Sequence, residues 1–227
     1  MSQTTRSPLR RTRLAQSSGQ NGSSGVHPNS VSPKRRPLNE EWEICSFDID
    51  SKPASFREAL CSVCRELKKM QLTVGGYRLL SVPNAGGSSV VSEVLSFELL
   101  NKCFSAKLKK TEMEVSYFPL GGSITDYTCE MFANTVAVSV TRAMKYRGDY
   151  CLEDAQRLLQ KKLKGVLQST RNSLEKWSKQ ILHVWSTSHH VTSMLVQAYD
   201  TIEPETRANT VVMITTAENA DYIFNNG

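Results

Sequence analysis

The sequence predicts an α/β domain: a mixed central sheet flanked by helices. Three observations predict it. Some windows carry apolar residues at helical spacing, others carry them in alternation or in short β-branched runs, and from Asn39 onward the two kinds interleave along the chain. A sheet whose strands alternate with helices is covered on both faces, so its strands read as mostly apolar.

The elements follow in order. Pro53 to Met70 reads as a helix, with Phe56, Leu60, Val63, Cys64 and Leu67 at intervals of three and four and Pro53 suited to a first turn. A Gly75-Gly76 break and a short apolar run, YRLLSV, come next. The loop PNAGG then leads to Ser88 and Ser89, candidate N-caps for a helix from about Val90 to Phe104. That helix is apolar around most of its circumference and predicts packing on more than one side. Three strand-like runs succeed it: TEMEVSYFP, in which Met113, Val115 and Tyr117 alternate with polar residues; TDYTCEMF; and TVAVSVTRA, in which Val136, Val138 and Val140 share one face. Gly121-Gly122 marks a turn between the first two. A long helix from about Leu152 to Thr170 follows, then the strand ILHVW, a helix near His190 to Tyr199, the strand VVMIT and a short last helix. Thr215 and Glu218 have the spacing of a capping box before that helix.

Residues 1–38 stand apart. They contain no Trp, Phe, Tyr or Ile and are mostly Ser, Arg, Gln, Asn, Gly and Pro. Such a segment buries too little apolar area to offset its ordering entropy, which predicts a disordered basic tail (1–38) ahead of a single α/β domain (39–227). The formal charge of the chain is +6, and the tail alone carries +7 from Arg6, Arg10, Arg11, Arg13, Lys34, Arg35 and Arg36, so the rest stands at −1. The basic balance is therefore mainly a property of the tail. Within the domain, charge is uneven: Arg142 to Lys179 holds ten Lys or Arg against four acids, and Asp200 onward holds five acids against Arg207.

The tail clusters SPLRRTR and SPKRRP suit an import receptor or a phosphate backbone. Lys34, Arg35 and Arg36 are the candidate localisation signal. Nucleus is the expected compartment. A mitochondrial transit peptide is the alternative, weakened by Pro8 within the first cluster, and a plain cytoplasmic tail is a third reading. No window approaches the roughly 18 apolar residues of a membrane span, so no membrane partner is expected. The six cysteines read as reduced thiols of an intracellular protein, since the N-terminus carries charge but no apolar h-region, and the Cys61-Cys64 pair reads as helix cysteines, since zinc needs four ligands and no second pair is present.

The stretch from Glu93 to Arg142 carries the chemistry. An acid lies on a helix (Glu93, or Glu98), a hairpin follows, Asp126 opens its second strand, and thirteen residues later comes Ser139-Val140-Thr141. This order resembles the PD-(D/E)XK, or restriction-endonuclease-like, nuclease superfamily, whose core is a helix, three strands, a helix and a strand. The resemblance covers about half the domain and implies a restriction-endonuclease-like core. In active members an Asp opens the second strand, and an acid-x-Lys triplet on the third shares one strand face. Carboxylates and a hard divalent cation then activate water on a phosphodiester. Here Asp126 and Glu93 match the metal acids, Ser139 stands where the second acid belongs, and Thr141 stands where the lysine belongs. Arg142 is adjacent but faces the other side of an ideal strand.

The resemblance thus implies a nuclease-like domain with a decayed site, leaning away from catalysis. Glu93, Asp126, Ser139 and Thr141 mark the degenerate motif. No cofactor is implied with certainty, and magnesium on Asp126 and Glu93 is implied only if catalysis survives. The basic helix supplies Arg157, Lys161, Lys162 and Lys164, with Arg142 and Lys145 just before it, as candidate phosphate contacts. Trp177 and Trp185 are expected in the core rather than against bases. His189-His190 reads as a helix start, not a metal pair. The expected function is a nucleic-acid-binding or adaptor module. Alternatives are a metal-dependent nuclease with a non-standard site that adds Glu130, or a protein-interaction scaffold without nucleic acid.

Deleting residues 1–38 is expected to leave the thermal midpoint of the protein unchanged and to reduce nuclear accumulation of a tagged chain. A lowered midpoint would refute the first half, and unchanged import the second.

Overall fold

The computed structural model describes residues 71–85, 89–218 and 220–225, and 44–48 as backbone. The tail with its Lys34-Arg35-Arg36 cluster, the expected helix at Pro53–Met70 and the Cys61-Cys64 pair lie outside the described residues. The six strands are β1 (Ile44–Asp48), β2 (Lys107–Thr111), β3 (Tyr127–Met131), β4 (Asn134–Ala143), β5 (Lys179–Ser186) and β6 (Thr210–Thr216). They form one mixed sheet in the order β1-β6-β5-β4-β3-β2, with β2-β3-β4 antiparallel and β4-β5-β6-β1 parallel.

Helices cover both faces. On one lie α1 (Val74–Ser81), α2 (Val90–Phe104) and the short α6 (Asp221–Phe224); on the other lie α3 (Leu152–Asn172) and α4 (His189–Asp200), with α5 (Pro204–Arg207) just ahead of β6. The predicted α/β class is therefore the observed one. Val136, Val138 and Val140 face α2, as their alternation requires. Buried Ala155, Leu159, Leu163 and Val166 form the inner stripe of α3. Eight of the fifteen α2 residues are buried, which explains why its apolar residues extend around the helix.

Several local expectations are corrected. TEMEVSYFP is not a strand. The ladder ends at Thr111, and Glu112–Glu114 form a single 3-10 turn held by the Thr111 N–H, which donates to Glu114 Oε2 at 2.8 Å. The true strand, KLKKT, is an edge strand, where lysines discourage pairing with other chains. Gly75 and Gly76 do not break the chain but lie within α1. A Cβ at either position would collide with Phe97 or Glu98 of α2, so the glycines permit the two helices to approach. Thr215 does not cap the last helix. It lies in β6, and the N-cap of α6 is Ala220. The β3–β4 hairpin closes through Phe132 and Ala133, both at positive φ (50° and 61°), a turn usually made with Asn-Gly.

A chain of buried polar side chains pins α2 to the sheet. His183 of β5 joins Thr215 of β6 through Nε2 (2.8 Å) and Ser96 of α2 through Nδ1 (2.7 Å), and the Ser96 hydroxyl meets Tyr127 of β3 at 2.8 Å. Beside it, Trp185 Nε1 donates to the Ser92 carbonyl at 3.1 Å. Burial pushes the His183 imidazole down to about 3. The folded-state value lies below the ordinary 6.5, so the unfolded chain takes up a proton that the folded chain refuses. This contribution is intact above pH 6.5 and is lost progressively as pH falls toward 3. Denaturant titrations at pH 7 and pH 4.5 are expected to differ by roughly 2–3 kcal/mol from this group. The His183→Gln protein is expected to be weaker at pH 7 but to have lost that increment. An undiminished acid dependence in His183→Gln would assign it to other groups.

Candidate functional site

Asp126 stands at the opening of β3, directly opposite Ser139. Its N–H donates to the Val138 carbonyl at 3.0 Å, and its Oδ2 accepts from the Val140 N–H at 2.5 Å, so the two bonds bracket Ser139 on β4. The residue is half-buried, with its carboxyl against the β4 backbone. Burial pushes the Asp126 carboxyl well above the usual carboxylate range; the Glu93 carboxylate pushes it further, and the Val140 N–H opposes both. Glu93 sits in the first turn of α2, only 6% exposed, and Oε1 accepts from the Ser89 hydroxyl at 2.5 Å. Ser89 is the N-cap position of α2, but its hydroxyl serves Glu93 rather than the helix backbone. Burial raises the Glu93 carboxyl also, with the Ser89 hydroxyl, Arg142 and Lys162 acting against it.

The fold thus brings together two of the four motif positions as a carboxyl pair and sets Ser139 beside Asp126. Thr141, 8% exposed, lies two residues further along the β4 face away from the valines. Glu112, in the 3-10 turn, adds negative charge to both carboxyls, and its Oε2 accepts from the Ala85 N–H at 2.7 Å. Sequence reading missed it because a turn residue after an edge strand carries no motif signal. Glu130 is exposed and four residues along β3 from Asp126, about 13 Å away at strand rise, so it does not join the pair.

Magnesium favours near-octahedral oxygen coordination. Asp126 spends one oxygen on a backbone N–H and Glu93 one on a hydroxyl, and burial favours the protonated form of both. No group of three or more His, Cys, Asp or Glu side chains able to hold a metal ion occurs among the described residues. Beside this pair, Ser139 and Thr141 bring no further charged ligand.

The basic residues divide into two groups. Lys145 donates to Asp154 Oδ2 at 2.6 Å and to the Asp149 carbonyl at 3.2 Å; Arg157 donates to Asp154 Oδ1 at 3.1 Å. Arg142 reaches the carbonyls of Ile223 and Phe224, both at 3.4 Å, on the valine face of β4 as its alternation requires. Lys162 is half-buried on α3, and its charge is felt at both carboxyls. Lys161 and Lys164 are exposed and make no ion pair among the described residues. Arg157, Lys161, Lys164 and Arg171 follow one another at helical spacing on the outer face of α3, opposite its buried stripe. Arg171, not singled out in the sequence, extends this row.

Trp185 is fully buried and Trp177 half-buried. His189 and His190 open α4, where His190 Nε2 meets the Tyr150 carbonyl at 2.9 Å. Cys103, Cys129 and Cys151 are outside any disulfide, and burial pushes the Cys129 thiol up to about 12. No helix among the described residues is long and apolar enough to cross a membrane.

No protein-family model matches the chain. Its sequence is 45% identical over 161 residues to the AAC-rich mRNA clone AAC4 protein of Dictyostelium discoideum, an alignment that takes in 67% of this chain and 24% of that protein. The chain therefore spans about a quarter of that relative's length. Among solved structures it is similar to Pyrococcus furiosus SfsA in complex with Ca2+, with 13% identity, coverage of 59% of this chain and 58% of that one, and a TM-score of 0.28.

The Asp126 contact yields a stability test. Asp126→Ala removes the acceptor of the Val140 N–H and is expected to cost about 1–3 kcal/mol. Asp126→Asn keeps an acceptor and removes the repulsion from Glu93, so at pH 8 it is expected to match or exceed the parent. Denaturant midpoints decide. A strongly destabilised Asp126→Asn would mean that the negative charge itself is required.

Proposed function

We propose that this chain is a nucleic-acid-binding module on a nuclease-like fold whose cleavage motif has decayed. The observation that carries the reading is the row Arg157, Lys161, Lys164 and Arg171 on the solvent side of α3, where Lys161 and Lys164 have no acid partner among the described residues. Cations held along one rigid helix can follow a phosphate backbone and release its counterions. Lys145 and Arg157 contribute less, because Asp154 already neutralises part of their charge.

Loss of cleavage is supported by the site chemistry. Ser139 and Thr141 bring neither the second charged ligand nor the lysine of the motif, and the remaining carboxyls are engaged in holding β4 and the start of α2. General acid–base groups alone are typically worth about 10²–10⁴ in rate, so the loss of both groups is expected to leave turnover below ordinary detection.

The test is a salt titration of oligonucleotide binding by the full-length chain. Lys161→Glu with Lys164→Glu is expected to weaken binding about equally across sequences and to flatten the logarithmic salt slope by roughly 1–2. Binding untouched by these changes would leave the interaction to the tail and favour a protein-interaction scaffold. Magnesium- or manganese-dependent cleavage that disappears in Asp126→Ala would overturn the decayed-site reading.

A further inference from the structure

We infer that the nucleic acid held along α3 is single-stranded, with unstacked bases resting on Phe118 and Tyr146. The inference rests on the reading of α3 as the interface and specifies the ligand of that same surface. Each end of the helix carries an exposed aromatic residue. At the N-terminal end, Tyr146 is 81% exposed in the β4–α3 loop, next to Lys145, whose ammonium is fixed on Asp154 in the first turn of α3. At the C-terminal end, Phe118 is 73% exposed, and its N–H donates to the Asn172 carbonyl, the last residue of α3, at 2.7 Å. The connection from α3 to β5 keeps this corner in place, since the Leu174 N–H donates to the Ser116 carbonyl at 2.9 Å.

The cationic row lies between these two points, on a helix that spans about 30 Å. A duplex offers such a row its phosphates, but its bases are stacked inside and give an aromatic ring nothing to lie on. A single strand offers both, and any base presents a π-face to a ring. Phosphate contacts to Lys161 and Lys164 would then supply salt-dependent affinity, and the two rings would supply the preference for unpaired strands.

Fluorescence anisotropy of the full-length chain tests this, using labelled oligo-dT and oligo-U of about 15 nucleotides and a duplex of the same length. The tail is present in every variant, so differences from the parent report the domain. The parent is expected to prefer both single strands to the duplex. Phe118→Ala and Tyr146→Ala are each expected to weaken single-strand binding by roughly five- to a hundredfold with an unchanged salt slope, and to leave duplex binding as it was. Phe118→Tyr and Tyr146→Phe, which keep a ring, are expected to retain affinity. Equal affinity for the two forms, or aromatic variants that bind single strands like the parent, would overturn this inference alone and leave the exposed rings to a protein partner. Affinity for neither form would remove the interface reading together with it.

Discussion

The buried hydrogen-bonded chain Thr215–His183–Ser96–Tyr127 is the constraint on which the rest of the arrangement depends. Four polar side chains from β6, β5, α2 and β3 are shut away from water, and each member is tolerable there only because its neighbour satisfies it. Apolar packing alone lets a helix slide or rotate on a sheet at modest cost. A polar chain that must be matched atom for atom does not. With Trp185 holding the Ser92 carbonyl one turn earlier, α2 has a single seating on the sheet.

That seating places Glu93 against Asp126. Glu93 lies next to Ser92 in the first turn of α2, so the residues that anchor the helix also bury its carboxyl. Asp126 is held from the other side, by the backbone of β4. Its carboxyl oxygen takes the Val140 N–H at the point where the β3–β4 ladder begins, and so helps set the strand register. Both acids therefore have structural partners that account for their presence without a metal.

The acids and the lysines face different surroundings although they lie close in the fold. The carboxyl pair is enclosed between layers, where burial favours its neutral form. The outer lysines of α3 stand in water, where the charged form is cheap. Half-buried Lys162 belongs to both regions, since its charge lowers the cost of ionising either carboxyl. An anionic ligand along α3 would thus meet cations first and would be shielded from the acids by the body of the domain.

Much of this was legible in the sequence. The α/β class, the extents of α2 and α4, the long amphipathic α3, the valine face of β4 and the apolar runs of β5 and β6 follow from periodicity, because each must present an apolar face to a neighbouring layer. The pairing of Glu93 with Asp126 was anticipated from a motif, and the absence of an acid and a lysine at Ser139 and Thr141 is a plain fact of composition. Local pattern failed where a neighbour overruled it. The strand that follows α2 is not TEMEVSYFP but the Lys-rich KLKKT just before it, because an edge strand is bonded on one side and needs little apolar content. Gly75-Gly76 reads as a break yet lies in α1, because the absent Cβ atoms make room for Phe97 and Glu98. Which cations remain available was also beyond local pattern: Asp154 draws in Lys145 and Arg157, the carbonyls of Ile223 and Phe224 take Arg142, and Lys162 is half-buried, leaving Lys161 and Lys164. The residues and their periodicity alone determined the layers. Only the tertiary structure decided the partners, because charge pairing and close approach depend on distances between segments remote in the chain.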